Sequence, residues 1–236
     1  MPRSPNARLP ISSTKPRTPV LGMRIWDAPT RLFHWAIVIL VAFSYVSVQK
    51  DWLQLHFLSG YTILALLLFR IVWGFVGSET ARFRTFLRNP IEGFRHLAHF
   101  ARREPDTEIG HNAAGGWMVI ALLAILFAQV ATGLFSREDD GILEGPLAHR
   151  IAKEASSQIT NIHAITFNVI LGLVALHILA IVAYAVVKRH NLVRAMVTGR
   201  KRLPANLRQP GFTSPILALF ILAMAGGVVW AVVTFG

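Results

Sequence analysis

Five long apolar runs punctuate the chain, and polar residues collect in the gaps between them. The runs cover about Leu32–Val48, Trp52–Val76, Ala113–Phe135, Ile162–Val187 and Pro215–Phe235. A helix needs about 20 apolar residues to cross the hydrocarbon layer of a bilayer, and each run reaches that length once tilt and interfacial ends are allowed for. Only Gln49, Lys50 and Asp51 separate the first two runs, so these helices must be antiparallel neighbours. The second run contains a single charge, Arg70. The segment 136–160 is longer and partly acidic, and it is expected to include a short helix on the membrane surface.

Residues 1–21 hold five prolines and little periodicity, which predicts a disordered basic tail. Without an apolar core ahead of a cleavage site, they do not read as a signal peptide. From Pro90 onward, Ile91, Phe94 and Leu97 recur at helical spacing among Arg and His, the pattern of an interfacial helix. His96 and His99 in that segment either bind a metal or sit on its polar face. The pattern therefore predicts an all-α integral membrane protein with five spans. Its parts are a tail over 1–21, a membrane domain over 22–204, and a linker with a fifth transmembrane helix over 205–236.

Composition sharpens this reading. Charged residues make up 15% of the 236 and hydrophobic ones 53%, with a mean hydropathy of +0.49. Soluble domains carry about 25% charged residues. The absence of cysteine excludes disulfides, Cys-ligated zinc, iron–sulfur clusters and covalently attached haem. Any metal must be held by His, Met or oxygen ligands.

The net charge of +12 would fit a nucleic-acid partner, but its placement points elsewhere. The segment through Arg31, the loop 77–112 and the loop 188–212 hold nineteen of the 24 Arg and Lys residues. The loops on the opposite side hold only Lys50, Arg137, Arg150 and Lys153. The positive-inside rule then places the N-terminus in the cytoplasm and the C-terminus outside the cell membrane. Membrane lipid is the expected partner of the basic loops, and nucleic acid is not.

Four of the nine histidines, His34, His56, His163 and His177, lie in or at the ends of spans. Ionisable groups at membrane depth are rare and costly, which makes them candidates for function. The bland alternative is a neutral imidazole hydrogen-bonded to a neighbouring helix. Mutual geometry discriminates between these. Fourteen residues separate His163 from His177, about 40° short of four helical turns, so both leave one face roughly 21 Å apart along the axis. His34 sits near the cytoplasmic start of the first helix, and His56 near the outer start of the second. Depths therefore match as His34 with His177 and His56 with His163.

Structural zinc takes four protein ligands, whereas each level here supplies two. Haem iron needs two axial ligands, and imidazole suits it. Two b haems with bis-histidine ligation account for all four residues. Their propionates need cations. Arg70 lies fourteen residues beyond His56, on the same face and at the level of His34 and His177. It either pairs with a propionate of the inner haem or snorkels to the headgroups. Arg31 is a second, weaker propionate candidate. Ser59, Gly60, Gly133 and Gly172 are small enough to sit beside a macrocycle, and small residues equally serve plain helix packing.

Several stretches resemble the bacterial cytochrome b561 and nickel–iron hydrogenase b-type cytochrome family, over roughly Arg24 to Pro204. They are "RIWDAPTRLFHW", "LHFLSGYTILALLLFRIVWGFVGS", "GHNAAGGWMVIALL", "TGLF", "GPLAH" and "LVRAMVTGRKRLP". The resemblance implies a four-helix bundle binding two b haems, with axial ligands at His34, His56, His163 and His177. The fifth span is additional to that bundle. The resemblance also implies electron transfer between a redox protein and ubiquinone or menaquinone in a respiratory membrane. A c-type cytochrome, a hydrogenase or a dehydrogenase would be the protein partner. Two alternatives stay open: a superoxide:quinone oxidoreductase, against which the acidic outer loop argues, and an anchor subunit whose purpose is docking. His111, ahead of the third span, either orients a propionate, lies near a quinone, or bonds to its own loop.

Overall fold

The computed structural model describes residues 19–93, 107–137 and 144–236. Most of the proline-rich tail, the segment with His96 and His99, and the acidic residues Glu138, Asp139 and Asp140 lie outside the described residues.

Five helices are long and apolar enough to cross a membrane. They are α1 (Ala28–Gln49), α2 (Leu53–Val76), α3 (Ala113–Phe135), α4 (Lys153–Ala183, continued by a π-helical turn at Tyr184–Lys188) and, after a shorter helix, the last span. Helix α5 (Leu192–Thr198) is that shorter helix, and α6 (Pro215–Phe235) is the last span. Three of the five spans, α1, α3 and α6, start with side-chain caps where the chain leaves water. Asp27 accepts from the Thr30 amide at 2.8 Å, Asn112 from Gly115 at 2.7 Å, and Ser214 from Ile216 at 3.2 Å. Pro29 and Pro215 stand in first turns, where a missing amide hydrogen costs nothing.

The helix boundaries move where caps and amphipathic ends extend an apolar run. Helix α1 starts at its Asp27 cap rather than at Leu32, which puts His34 in its second turn. Helix α4 starts at Lys153, nine residues ahead of the apolar run, because the polar stretch from Lys153 to Asn161 contains no glycine or proline to break it. The surface helix expected in 136–160 is correspondingly absent among the described residues. A single 3₁₀ turn at Ala148–Arg150 stands there instead.

Helices α1 and α2 lie side by side, as do α3 and α4; α2 also touches α3 on one flank and α6 on another. Helix α4 follows α3 closely and stands off from α1 and α2, and only Ser156 and Ile170 of its length are buried. One apolar core joins the bundle through Ile37, Ile63, Leu64, Leu67, Leu126, Val130 and Ile170. A second packs Ala218, Ile221 and Ala225 of α6 against Phe69 and Trp73 of α2. The extra helix thus covers one flank of α2.

Two short strands, β1 (Val20–Arg24) and β2 (Arg200–Pro204), pair antiparallel at the end of the bundle where α1 begins and α4 ends. Val20 and Leu21, read from sequence as tail, therefore belong to the folded part. The ribbon buries Leu203 against Ile25, Trp26 and Ala195. Gly199 leads into it with φ +75°, and a Cβ there would lie 2.9 Å from the Trp26 carbonyl oxygen. Gly199→Ala should therefore cost about 1–3 kcal/mol and lower the melting temperature in detergent. Gly226→Ala, in open space on α6, should leave the melting temperature unchanged or raise it.

Candidate functional site

The α1–α2 turn brings the start of α2 beside the end of α1, and α4 faces both. At the end far from the β-ribbon, the rings of His56 and His163 lie 6.2 Å apart between centroids, at 84°. At the ribbon end, His34 and His177 lie 6.5 Å apart, at 54°. The structure thus makes the two pairs that depth alone predicts. Between them runs an apolar layer that includes Ile63, seven residues beyond His56 on α2, and Ile170, seven residues from each histidine of α4. Seven residues fall about 20° short of two turns, so histidine, isoleucine and histidine share one face of α4.

At the far pair, side-chain orientation is set by backbone carbonyls. The Nδ1 of His56 is 3.1 Å from the Ser44 carbonyl oxygen and 3.0 Å from the Ser44 hydroxyl. The Nδ1 of His163 is 2.9 Å from the Gln129 carbonyl and 3.1 Å from the Thr132 hydroxyl. A carbonyl only accepts, so each Nδ1 carries the proton and each Nε2 presents a lone pair. This is the arrangement in which metal-binding imidazoles are held. The side-chain amide of Gln129 donates to His163 Nε2 at 3.0 Å, and Gln129 Oε1 accepts from the Thr166 hydroxyl. A Cβ at Gly133 would sit 3.0 Å from His163 Cε1, so glycine makes room for the ring.

The ribbon-end pair has a different setting. His34 packs edge-on against Trp35 at 5.0 Å, and its buried Nδ1 has no hydrogen-bond partner. Arg70 is only 2% exposed, and one of its guanidinium nitrogens is likewise buried without a partner. Burial leaves the snorkelling reading of Arg70 without support. Its guanidinium lies 5.2 Å from the centroid of the Phe83 ring. That ring occupies the space a Cβ at Gly74 would need. The carboxylate acting on Arg70 is Asp27, which makes no direct ion pair with it. Asp27 is itself buried, committed to its cap and to the Trp73 indole Nε1 at 3.1 Å.

His111 joins the same group. Its ring lies 4.7 Å from that of Trp26 and 4.8 Å from that of Phe86, and its buried Nδ1 is unpartnered. Burial first, then Arg70, His177 and His34, push this imidazole down to about 3. Arg31 is used elsewhere: it donates to the Val197 carbonyl at 2.5 Å and to that of Asp27 at 3.3 Å.

Sequence reasoning missed Ser44, Gln129, Thr132 and Thr166. Gln129 left a signal, as the sole amide side chain within α3. The carbonyl of Ser44 left none.

The prokaryotic cytochrome b561 family model matches residues 25–199. The chain belongs to the prokaryotic cytochrome b561 family. It is a multi-pass membrane cytochrome of b type, with haem b as its cofactor and electron transfer as its work. Two curated relatives are each named a probable Ni/Fe-hydrogenase B-type cytochrome subunit. The Bradyrhizobium diazoefficiens protein is 20% identical over 211 residues, covering 75% of this chain and 85% of its own. The Rhodobacter capsulatus protein is 24% identical over 226 residues, covering 81% and 84%. No solved structure matches the chain significantly. Helix α6 lies beyond the residues that match the family.

The residues present in this b-type cytochrome fit haem at both levels. A metal bound in line by two imidazoles, at about 2 Å from each nitrogen, sets the ring centroids a little over 6 Å apart, close to both observed separations. Helix α4 stands away from α1 and α2, as a slot for a flat group requires. At the ribbon end the orphaned nitrogen of Arg70 offers a buried cation to a carboxylate.

The depressed His111 has a consequence for stability. An unfolded imidazole takes up a proton near pH 6.5, whereas the folded one does so only near 3. The unfolded state binds more protons in that window, so stability falls as pH drops through it, by up to about 1.4 kcal/mol per pH unit. Wild type should lose melting temperature between pH 7 and pH 5. His111→Phe, whose ring fits between Trp26 and Phe86, should flatten that decline.

Proposed function

We propose that the chain is a dihaem cytochrome carrying electrons across the cell membrane between a redox protein and the quinone pool. In this reading His34 and His177 hold one b haem, and His56 and His163 hold the other. The observation that carries it is the pair of facing histidine couples at two depths, fourteen residues apart on α4. Bound haem supplies reversible one-electron iron chemistry at each level, and two imidazoles per iron leave no open position for O₂. The carbonyls of Ser44 and Gln129 hold the far imidazoles by Nδ1, and iron at His163 Nε2 would take the place of the Gln129 side-chain amide that donates to it. Arg70 offers its buried guanidinium to a propionate at the ribbon end, where burial strengthens the attraction. Ile63 and Ile170 keep the space between the levels dry.

The names of the two relatives favour a hydrogenase as the redox partner over a c-type cytochrome. The basic ribbon end faces the cytoplasm by the positive-inside rule, which sets the far pair near the outer face of the inner membrane. Ubiquinone or menaquinone is the lipid-phase reactant.

A reduced-minus-oxidised spectrum with haem quantification tests the reading. It should show about two low-spin b haems per chain, one for each histidine pair. His177→Ala should remove the haem at the ribbon end, and His163→Ala the one at the far end. Retention of both haems in either variant would refute the pairing.

A further inference from the structure

The attraction of basic loops for anionic lipid is diffuse and marks no site. The β-ribbon is more specific. Direct partners in an antiparallel ladder share a face, and successive residues alternate. The register pairs Arg24 with Arg200 and Gly22 with Arg202. These four positions therefore form one square on one face, with guanidiniums at three corners and no side chain at the fourth. The opposite face carries Leu21, Met23, Lys201 and Leu203; Leu21 at the outer tip is exposed, but Met23 and Lys201 are half-buried and Leu203 is fully buried, so the arginine face points outward. All three arginines are exposed.

Like charges opposed across strands repel, and something must offset that. Among the described residues no carboxylate forms an ion pair with Arg24, Arg200 or Arg202. Arg24 rests over the Phe212 ring at 4.5 Å, which restricts its guanidinium. A Cβ at Gly22 would meet nothing within 4 Å, so the square has an open notch. The ribbon also sits at the membrane boundary, since only three residues separate Arg24 from the first residue of α1. Apolar side chains stand exposed around it: Val20 at 59% and, one turn apart on α5, Val193 at 48% and Val197 at 54%. Cations beside exposed aliphatic groups at a span's end are the signature of an interfacial anchor.

We propose that this face binds the headgroup of an anionic phospholipid of the adjacent leaflet. A phosphodiester offers two non-bridging oxygens that match the guanidinium fork. The acyl chains would lie along Val193 and Val197. An acidic protein docked there would bring carboxylates without chains, and the neighbouring valines favour the lipid.

The test is native mass spectrometry of the full chain in mild detergent, titrated with phosphatidylglycerol or phosphatidylcholine. Wild type should retain phosphatidylglycerol preferentially. The triple variant R24Q/R200Q/R202Q should weaken that retention at least about tenfold, from about fivefold per guanidinium lost at the surface. Gly22→Glu, which keeps every arginine and fills the notch with a carboxylate, should also weaken it. R84Q/R88Q/R208Q, with the same loss of charge elsewhere, should not. Equal weakening in that control, or unchanged retention in the ribbon triple, would overturn the site. Displacement of the lipid by inorganic phosphate at matching concentration would overturn the lipid as its occupant.

Discussion

Burial of ionisable groups among apolar helices is the constraint on which the rest of this structure depends. An imidazole or guanidinium inside the hydrocarbon layer survives only with partners that replace water. The far histidines find theirs in the carbonyls of Ser44 and Gln129. Those contacts require α1 against α2 and α3 against α4, which are the two close helix pairs of the bundle. At the ribbon end the partners are incomplete: His34, His111 and Arg70 each keep a buried nitrogen unpaired. Buried polar atoms are nearly always satisfied in folded proteins, so three orphans gathered at one end set it apart from the far end.

The two ends of the bundle thus solve one problem differently. The far end is closed within the protein, by hydroxyls, an amide and backbone carbonyls. The ribbon end gathers positive charge and aromatic rings, with the Asp27 carboxylate engaged in capping α1 and in holding Trp73. Asp27 links two elements that are distant in sequence: the entry to α1 and the stretch of α2 that carries Trp73 and Arg70. Helix α6, beyond the family match, packs on the Trp73 side of α2. It shields that flank from lipid and leaves the face that carries His56 to α4.

The β-ribbon shows how loops of a membrane protein can be organised by their apolar minority. Leu203, Ile25, Trp26 and Ala195 form a small core outside the spans. Hydrogen bonds from Ile25 and Trp26 to the Gly199 carbonyl tie the start of α1 to the segment after α5. With Leu203 turned inward, alternation leaves Arg24, Arg200 and Arg202 no choice but to face outward. A structural requirement for burial on one side therefore creates the charged surface on the other.

Amino-acid order alone determined the five spans, the two histidine levels and the depth of Arg70. Each follows from a fixed helical rise and turn, together with the cost of moving charge into hydrocarbon. It also determined that α3 and α6 start and end with their apolar runs, because Asn112 and Ser214 cap those starts. Tertiary structure decided what periodicity cannot express. Whether Arg70 reaches water or stays buried depends on how Phe83 folds back over Gly74. The proton position on His56 depends on a carbonyl, which every residue carries and no side chain announces. The pairing of Val20–Arg24 with Arg200–Pro204 spans most of the chain between two short basic segments, and no local pattern encodes so distant a partner.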